Sequence, residues 1–317
     1  MSMPLSNDNL NLTPQTTFDS PALTFDFADL EIGVAEYDQG LTGCTIFLFP
    51  KGAATSIDVR GGAPGLIGNY EWNHAICLAG GSLYGLEATS GVTAELFARR
   101  DYSTHWDNFA LASGAIIYDY RRRDTSIYPD KALGRAAVQA ARPGVFPLGA
   151  RGAGRSAGCG GWFDKGEPCG QGGAFRRVGA TKVAVFCVVN ALGVIVDRQG
   201  QVARGNRDPA TGRREQYRDE LERRIAGQIG APAPNGNTTL TVVVTNQKLA
   251  SAALRQIARQ VHSSMARAIQ PFHTSFDGDV LFAVTTNEVE PAQLDDMLLG
   301  MLASELAWDA VLSSFSV

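Results

Sequence analysis

Residues 239–245, TLTVVVT, constrain the fold more than any other stretch. Both alternating positions carry β-branched or apolar side chains over the length of one strand. The segment therefore reads as a strand buried on both faces, central in its sheet. The residues before it break regular structure: Pro232-Ala233-Pro234-Asn235-Gly236 is a loop signal, with Asn-Gly marking a tight turn. Asn237-Thr238 stands where that loop enters the strand. Thr238 has two readings. It begins a strand, as Thr commonly does, or it is a self-cleaving site. In the second case Thr238 attacks its own preceding carbonyl, breaks the chain, and becomes a nucleophile with a free α-amine.

The rest of the chain mixes strands and helices. Strand patterns occupy residues 30–37, 43–49, 54–59, 111–118, 178–189, 194–197 and 280–286, with Pro50-Lys51-Gly52 read as a turn between two of them. Helical patterns cover residues 78–100, 216–228, 248–268 and 293–312, and one more runs from an Asp130 cap to about Ala141. Residues 60–65 and 149–173 are glycine-rich loops; 35 of the 317 residues are glycine, against a usual ~7%. Without strict β-α-β alternation or an internal repeat, the pattern predicts an α+β fold, a layered αββα sandwich. We expect a flexible N-terminal arm over residues 1–25 and a single domain over residues 26–317.

Composition narrows the function. A formal net charge of −4 argues against a nucleic-acid partner, and the densest basic run, Arg121-Arg122-Arg123, is three residues long. Five cysteines, odd in number and without a C-x-x-C pair, fit a reducing compartment, so we expect a cytoplasmic protein. Four scattered histidines make no zinc pattern, and no metal or cofactor is expected. No apolar stretch approaches the ~18 residues of a membrane span, and the N-terminus lacks a basic start and apolar run.

Short motifs add candidates. Residues 152–158, GAGRSAG, place Ala157 where a dinucleotide fingerprint needs glycine. Residues 80–85, GGSLYG, put the second glycine of a hydrolase elbow one residue late, so a glycine-rich helix entry is the better reading. In Phe276-Asp277-Gly278-Asp279, two carboxylates stand just before a buried strand. They form a turn, or they hold an ammonium group and polarise a hydroxyl. Asn190 interrupts the apolar run VFCVVNALGVIV, as a turn former or as an amide donor to an oxyanion.

Taken together, several stretches resemble one family. They are DVRGGAPG (58–65), NHAICLAGGSLYGLEA (73–88), YPDKALGRAA (128–137), GQGGAFRR (170–177), GNTTLTVVVTN (236–246) and QVHSSMARAIQPFHTSFDGDVLFAVTT (260–286). The chain resembles the L-aminopeptidase/D-esterase and β-aminopeptidase family of self-processing N-terminal nucleophile hydrolases, most of all its branch that cleaves nylon-type aminohexanoate oligomers. The resemblance implies cleavage between Asn237 and Thr238, giving a large chain 1–237 and a small chain 238–317 that stay associated. It implies Thr238 as nucleophile, Asp277 and Asp279 as the pair contacting its hydroxyl and amine, Asn190 as the amide facing the substrate carbonyl, and Tyr118 as the active-site tyrosine. It also implies a homo-oligomer such as a tetramer. The sequence departs from the family at a lysine that normally stands about nine residues after the G-x-G loop. Here Lys165 stands eleven residues after Gly154. Either Lys165 still serves, or the role is lost or passes to Arg155.

The implied activity is hydrolysis of ω- or β-amino-acid amides or nylon-like oligomers without a cofactor. Acyl transfer by the same nucleophile is the neighbouring alternative, and an uncleaved, non-catalytic binding domain is the distant one.

Overall fold

The computed structural model describes residues 4–161, 166–230 and 236–315. Among the described residues the main sheet has ten strands, two of them only two residues long (Leu66–Ile67 and Arg142–Pro143); the longer eight are β1 Glu31–Tyr37, β2 Thr42–Val59, β3 Trp72–Ala79, β4 Ala112–Ile116, β5 Gln171–Val178, β6 Thr181–Asn190, β7 Thr238–Gln247 and β8 Val280–Val289. The helices are α1 Glu87–Arg99, α2 Lys131–Gln139, α3 Tyr217–Ile225, α4 Ser251–Ser264 and α5 Asp296–Ser313. Hydrogen bonding runs β5-β6-β7-β8-β2-β3-β4, with β1 beside β2.

One long strand lets this sheet fold over itself. The first part of β2 pairs with β1 and β3, while residues 54–59 pair with β8. The expected turn at Pro50-Lys51-Gly52 is instead a register shift between Leu48 and Ala53 inside a continuous strand. A bulge absorbs the extra residues and bends the strand. Pro50 and Lys51 are exposed there, so the missing proline N–H leaves no buried acceptor unpaired.

The two halves of the folded sheet face each other across an apolar layer. Phe47, Phe49, Ile76 and Leu78 from one half meet Phe186, Leu240, Val242, Val244 and Phe282 from the other. Rings interlock there, with Phe186 centred 4.9 Å from Phe146 and 5.2 Å from Phe47. The outer faces are covered by helices. Val183, Val185, Val243 and Leu281 turn toward α4 and α5, and Ile46, Ala75 and Cys77 turn toward α1 and α2. The layers are therefore helix, sheet, sheet, helix, as expected. Both faces of β7 are covered, which is why its ten residues are all buried and why alternate positions are equally apolar. The helix α5 seats so closely on β5 that a Cβ at Gly172 would lie 2.0 Å from the Ala310 carbonyl oxygen.

Other elements depart from expectation. Residues 78–100 are not one helix. β3 runs to Ala79, a 3-10 turn spans Ser82–Leu86, and α1 begins at Glu87. The break falls at Gly81, whose φ of 78° is left-handed. The strand expected over residues 178–189 starts later, at Thr181, because Gly179 (φ 59°) turns the chain between β5 and β6. α2 does start at an Asp130 cap, whose carboxylate accepts from the Leu133 N–H at 3.0 Å. Residues 4–24, within the expected arm, lie along the body: Ala22–Thr24 pairs with Val145–Pro147, and Asn7 hydrogen-bonds Tyr128 and Asp130. No described helix is long and apolar enough to cross a membrane.

Candidate active site

The site forms where β7 begins. Thr238, its first residue, stands opposite Asn190, the last residue of β6. On its other side β7 runs parallel to β8, and a bridge between Asn237 and Asp277 extends that pairing one step outward. The loop-to-strand junction and the Phe276-Asp277-Gly278-Asp279 turn, 40 residues apart, are thus held side by side. Gly278 makes the approach possible. A Cβ there would lie 2.7 Å from Thr238 Oγ1 and 2.8 Å from the Ala63 carbonyl oxygen.

The peptide bond between Asn237 and Thr238 is surrounded by donors. The Thr238 hydroxyl donates to the Asn237 carbonyl oxygen at 2.6 Å, and the Gly278 N–H donates to the same oxygen at 2.7 Å. The Asn237 N–H donates to the Phe276 carbonyl at 3.1 Å, which fixes the plane of the loop entering the strand. Thr238 itself is buried.

The carboxylates lie directly behind. Asp279 is fully buried; its Oδ1 accepts from the Thr239 N–H at 2.7 Å, and its Oδ2 lies 2.9 Å from His273 Nδ1. Asp277 accepts the Thr274 N–H at 2.8 Å and the Thr274 hydroxyl at 2.7 Å. Burial, and then the negative charge of Asp279, push the Asp277 carboxyl up to about 6. Among the described contacts, neither carboxylate accepts from the Thr238 hydroxyl, whereas the resemblance implies contact with both its hydroxyl and its amine. With the peptide bond intact there is no amine to hold, and the hydroxyl is turned toward the Asn237 oxygen.

Sequence reasoning missed a second row. His262 Nδ1 lies 2.9 Å from Asp58 Oδ2, and its ring stands edge-on to His273 at 4.4 Å. Burial lowers the His262 pKa, and among the described residues its Nε2 has no hydrogen-bond partner. Burial would raise the Asp58 carboxyl, but hydrogen bonds from His262 and Arg60 outweigh it and hold the group at about 2. These groups, with Thr274 and the Gly278 N–H, come together only in the fold. The available signal was a His and a Thr immediately before the FDGD turn.

On the open side, the Asn190 side chain is engaged at both ends. Its Oδ1 accepts from the Gly158 N–H at 3.2 Å, and its Nδ2 donates to the Tyr118 carbonyl at 2.9 Å. Asn237 Nδ2 donates to the Asn190 carbonyl at 3.2 Å. The Tyr118 ring borders a cavity of about 220 Å³ together with Arg121, Arg122, Asn190 and Asn237. Four of the six residues named from sequence, Thr238, Asn190, Asp277 and Tyr118, are thereby gathered within one neighbourhood. Asp279 joins them through the next backbone amide, and Lys165 lies outside the described residues. Arg155, the alternative to Lys165, is elsewhere. It pairs with Glu36 at 3.1 Å and Asp38 at 3.7 Å, and borders a different cleft. The GAGRSAG loop gives its Gly152 N–H to Glu36 at 2.7 Å, so a carboxylate stands where a dinucleotide phosphate would need to be.

Comparison with known proteins gives the family. The chain matches the model of Peptidase family S58 over residues 22–315. It is 47% identical to a 6-aminohexanoate-oligomer endohydrolase of Agromyces sp. (strain KY5R), covering 97% of this chain and 90% of that protein. The same figures hold for a 6-aminohexanoate-oligomer endohydrolase of Paenarthrobacter ureafaciens. Among solved structures, a Burkholderia sp. beta-aminopeptidase superposes with a TM-score of 0.67 at 15% identity, covering 94% of this chain and 88% of that one. An L-aminopeptidase D-Ala-esterase/amidase from Ochrobactrum anthropi, described as a variant of the Ntn hydrolase fold, superposes with a TM-score of 0.65 at 14% identity and the same coverage. At such identities these two structures speak for the fold.

Proposed function

Because the chain belongs to Peptidase family S58, we propose that it is a self-cleaving amide hydrolase with Thr238 as its N-terminal nucleophile, acting on 6-aminohexanoate oligomers or related ω- and β-amino-acid amides. That it is an amidase or peptidase follows from the family and its relatives. One observation carries the finer reading: the Thr238 hydroxyl and the Gly278 N–H converge on the carbonyl of the bond to be cut, at 2.6 and 2.7 Å.

In self-cleavage the Thr238 oxygen forms a bond to the Asn237 carbonyl carbon. The carbonyl oxygen becomes an oxyanion, and the Gly278 N–H stabilises it. The C–N bond then breaks, nitrogen takes the hydroxyl proton, and an ester links Asn237 to the Thr238 side chain. Water opens that ester, leaving a carboxylate on Asn237 and a free amine on Thr238.

The new amine has an ordinary pKa of ~7.7–8.0, so its neutral form is available to take the hydroxyl proton when Thr238 attacks a substrate amide. Asp277 stabilises the resulting ammonium, while Asp279, braced by His273, fixes the start of β7. Once Asn237 has moved aside, a substrate carbonyl occupies the place of its carbonyl, with the Gly278 N–H and the Asn190 amide as donors. Tyr118 lines the path to it. Lys165 remains the candidate for the family's lysine role.

We further assign the active form as a homotetramer of cleaved heterodimers. Exposed aromatic side chains support self-association: Trp106 (81% exposed), Tyr84 and Tyr102 are large apolar groups in contact with water on the single chain. Buried cysteines, free among the described residues, fit a cytoplasmic location.

The test is denaturing mass spectrometry of purified protein, followed by hydrolysis of a linear 6-aminohexanoate oligomer. The expected result is two chains, residues 1–237 and 238–317, and release of shorter oligomers. A hydrolytically active preparation with one intact mass would refute the mechanism.

A further inference from the structure

Asp279 is ringed by donors, and one of them is unlike the rest. Its Oδ1 accepts the Thr239 N–H at 2.7 Å, and its Oδ2 accepts the His273 backbone N–H at 3.2 Å. The His273 ring adds Nδ1, 2.9 Å from the same Oδ2. At the other end of that ring, Nε2 lies 3.4 Å from the His262 carbonyl oxygen. A neutral imidazole has one N–H and one lone pair. Here both nitrogens face acceptors: a carboxylate oxygen that already receives a backbone N–H, and a peptide carbonyl. A ring that donates at both ends is an imidazolium and carries a positive charge. Phe272 suits that state, because its ring is centred 3.8 Å away and offers a π-face to the cation.

The neighbouring charges leave this one to Asp279. Asp58, in β2, and Arg60, just past its end, pair at 2.6 Å. His262, on α4, has its Nδ1 against Asp58, and burial favours its neutral form. Asp277, on the same loop as His273, accepts the Thr274 N–H and hydroxyl. His273 has a φ of 60°, in the left-handed region that non-glycine residues seldom occupy. In that conformation its backbone N–H and its ring reach one carboxylate oxygen. Strain of this kind clusters at functional sites.

Asp279 holds the amide of Thr239, one residue from the proposed N-terminus. An uncompensated carboxylate there would hold the Thr238 amine as ammonium, which cannot take the hydroxyl proton. The geometry points to His273 as a positioning residue for hydrolysis: its positive charge offsets that of Asp279 and leaves the Thr238 amine free to act as base. It acts through Asp279, and the assignment rests on the reading of Thr238 as nucleophile.

The experiment compares wild type with His273→Asn and His273→Ala on the linear 6-aminohexanoate trimer across pH. Asn tolerates a left-handed backbone, and its side-chain amide replaces the Nδ1–H toward Asp279 without a charge. His273→Asn should be fully processed, because self-cleavage precedes the amine. The acid limb of its kcat/KM profile should move up by about one pH unit, the effect of one nearby charge at an effective dielectric of about 20. His273→Ala gives up the bond as well, so its high-pH plateau should fall about tenfold, further than that of His273→Asn. A role in folding alone lowers the plateau and leaves the limb in place; that result overturns the assignment, as does a folded His273→Asn protein that stays uncut. Nitrogen NMR of isotope-labelled histidine in wild type reads the ring directly. One ring should carry protons on both nitrogens at the pH of maximal activity, and its signals should be missing from His273→Asn. No such ring in wild type overturns the assignment whether or not the variants fold. If wild type stays uncut and leaves the trimer intact, the nucleophile reading has failed and this assignment falls with it. If wild type is processed and active but the limb does not move in His273→Asn, the His273 assignment alone has failed.

Discussion

Thr238 and Thr239 both carry hydroxyls at the start of β7, yet their surroundings differ. The Thr238 hydroxyl sits on the Asn237 carbonyl, whereas the buried Thr239 hydroxyl has no hydrogen-bond partner among the described residues. Thr238→Ala should give one uncleaved, inactive chain. Thr238→Ser should keep some of both activities, because a hydroxyl and, after cleavage, an α-amine remain on one residue. Thr239→Ala should still be processed. N-terminal sequencing of the small chain, with activity assays, checks all three; a small chain beginning at Thr239 would move the nucleophile. Asp277 allows a test by pH. Its folded-state carboxyl, at about 6, lies above its ordinary 3.8. Between those values the folded protein holds a proton that the unfolded chain has lost, so this group's contribution to stability falls as pH rises through the window. Asp277→Asn removes that dependence. Its stability relative to wild type should therefore improve from about pH 4 to about pH 6 and then level off, as read from urea midpoints. The same variant should process and turn over roughly 10²–10³ more slowly. An unchanged rate would leave the FDGD segment as a turn and nothing more.

Two elements are brought into position by backbone contact, and each can be tested where a side chain would intrude. At Gly278 the turn before β8 touches Thr238 Oγ1 and the Ala63 carbonyl. Gly278→Ala should shift the N–H that polarises the Asn237 carbonyl and stop processing, while circular dichroism shows the sheet still formed. Processing at the wild-type rate would mean that this N–H has no part in cleavage. At Gly172 the backbone of α5 covers β5, and a methyl group would meet Ala310 and Ser314 backbone atoms at 2.0 and 2.7 Å. Gly172→Ala should lower stability by about 1–3 kcal/mol, the usual penalty of overpacking, measured in denaturant. Much of this scale was legible beforehand. The strand over residues 239–245, the helix after Asp130 and the amphipathic helix after Lys248 follow from period and capping. The bulge in β2 and the strand ending at Ala79 were not legible. Proline and glycine advertise a break, but whether it is a turn or a bulge depends on which strand lies alongside.

At the scale of the whole molecule, β7 lies between β6 and β8 with both faces covered, although the proposed cut falls at its first residue. The small chain would therefore contribute a central strand, α4, β8 and α5 to the core shared with the large chain. The two chains should co-elute in native size exclusion and separate only in denaturant. Light scattering should give the mass of four heterodimers. Separation of the two chains without denaturant would contradict the shared core.

By itself the sequence determined the layered α+β class, the buried strand of residues 239–245 and the loop that delivers Thr238 to it. Apolar periodicity, turn residues and capping are local, and these features follow from them. Asn190 and the two aspartates stood out as polar groups at the ends of apolar runs, and family resemblance gave them roles and added Tyr118. Only the tertiary structure decided what each group touches. It set the Gly278 N–H on the Asn237 carbonyl, placed His262 edge-on to His273 behind Asp279, and gave Arg155 to Glu36. Such contacts join residues tens to more than two hundred positions apart, as Asp58 and His262 are. Their pairing follows from strand register and from which backbones can approach closely, neither of which a local pattern encodes.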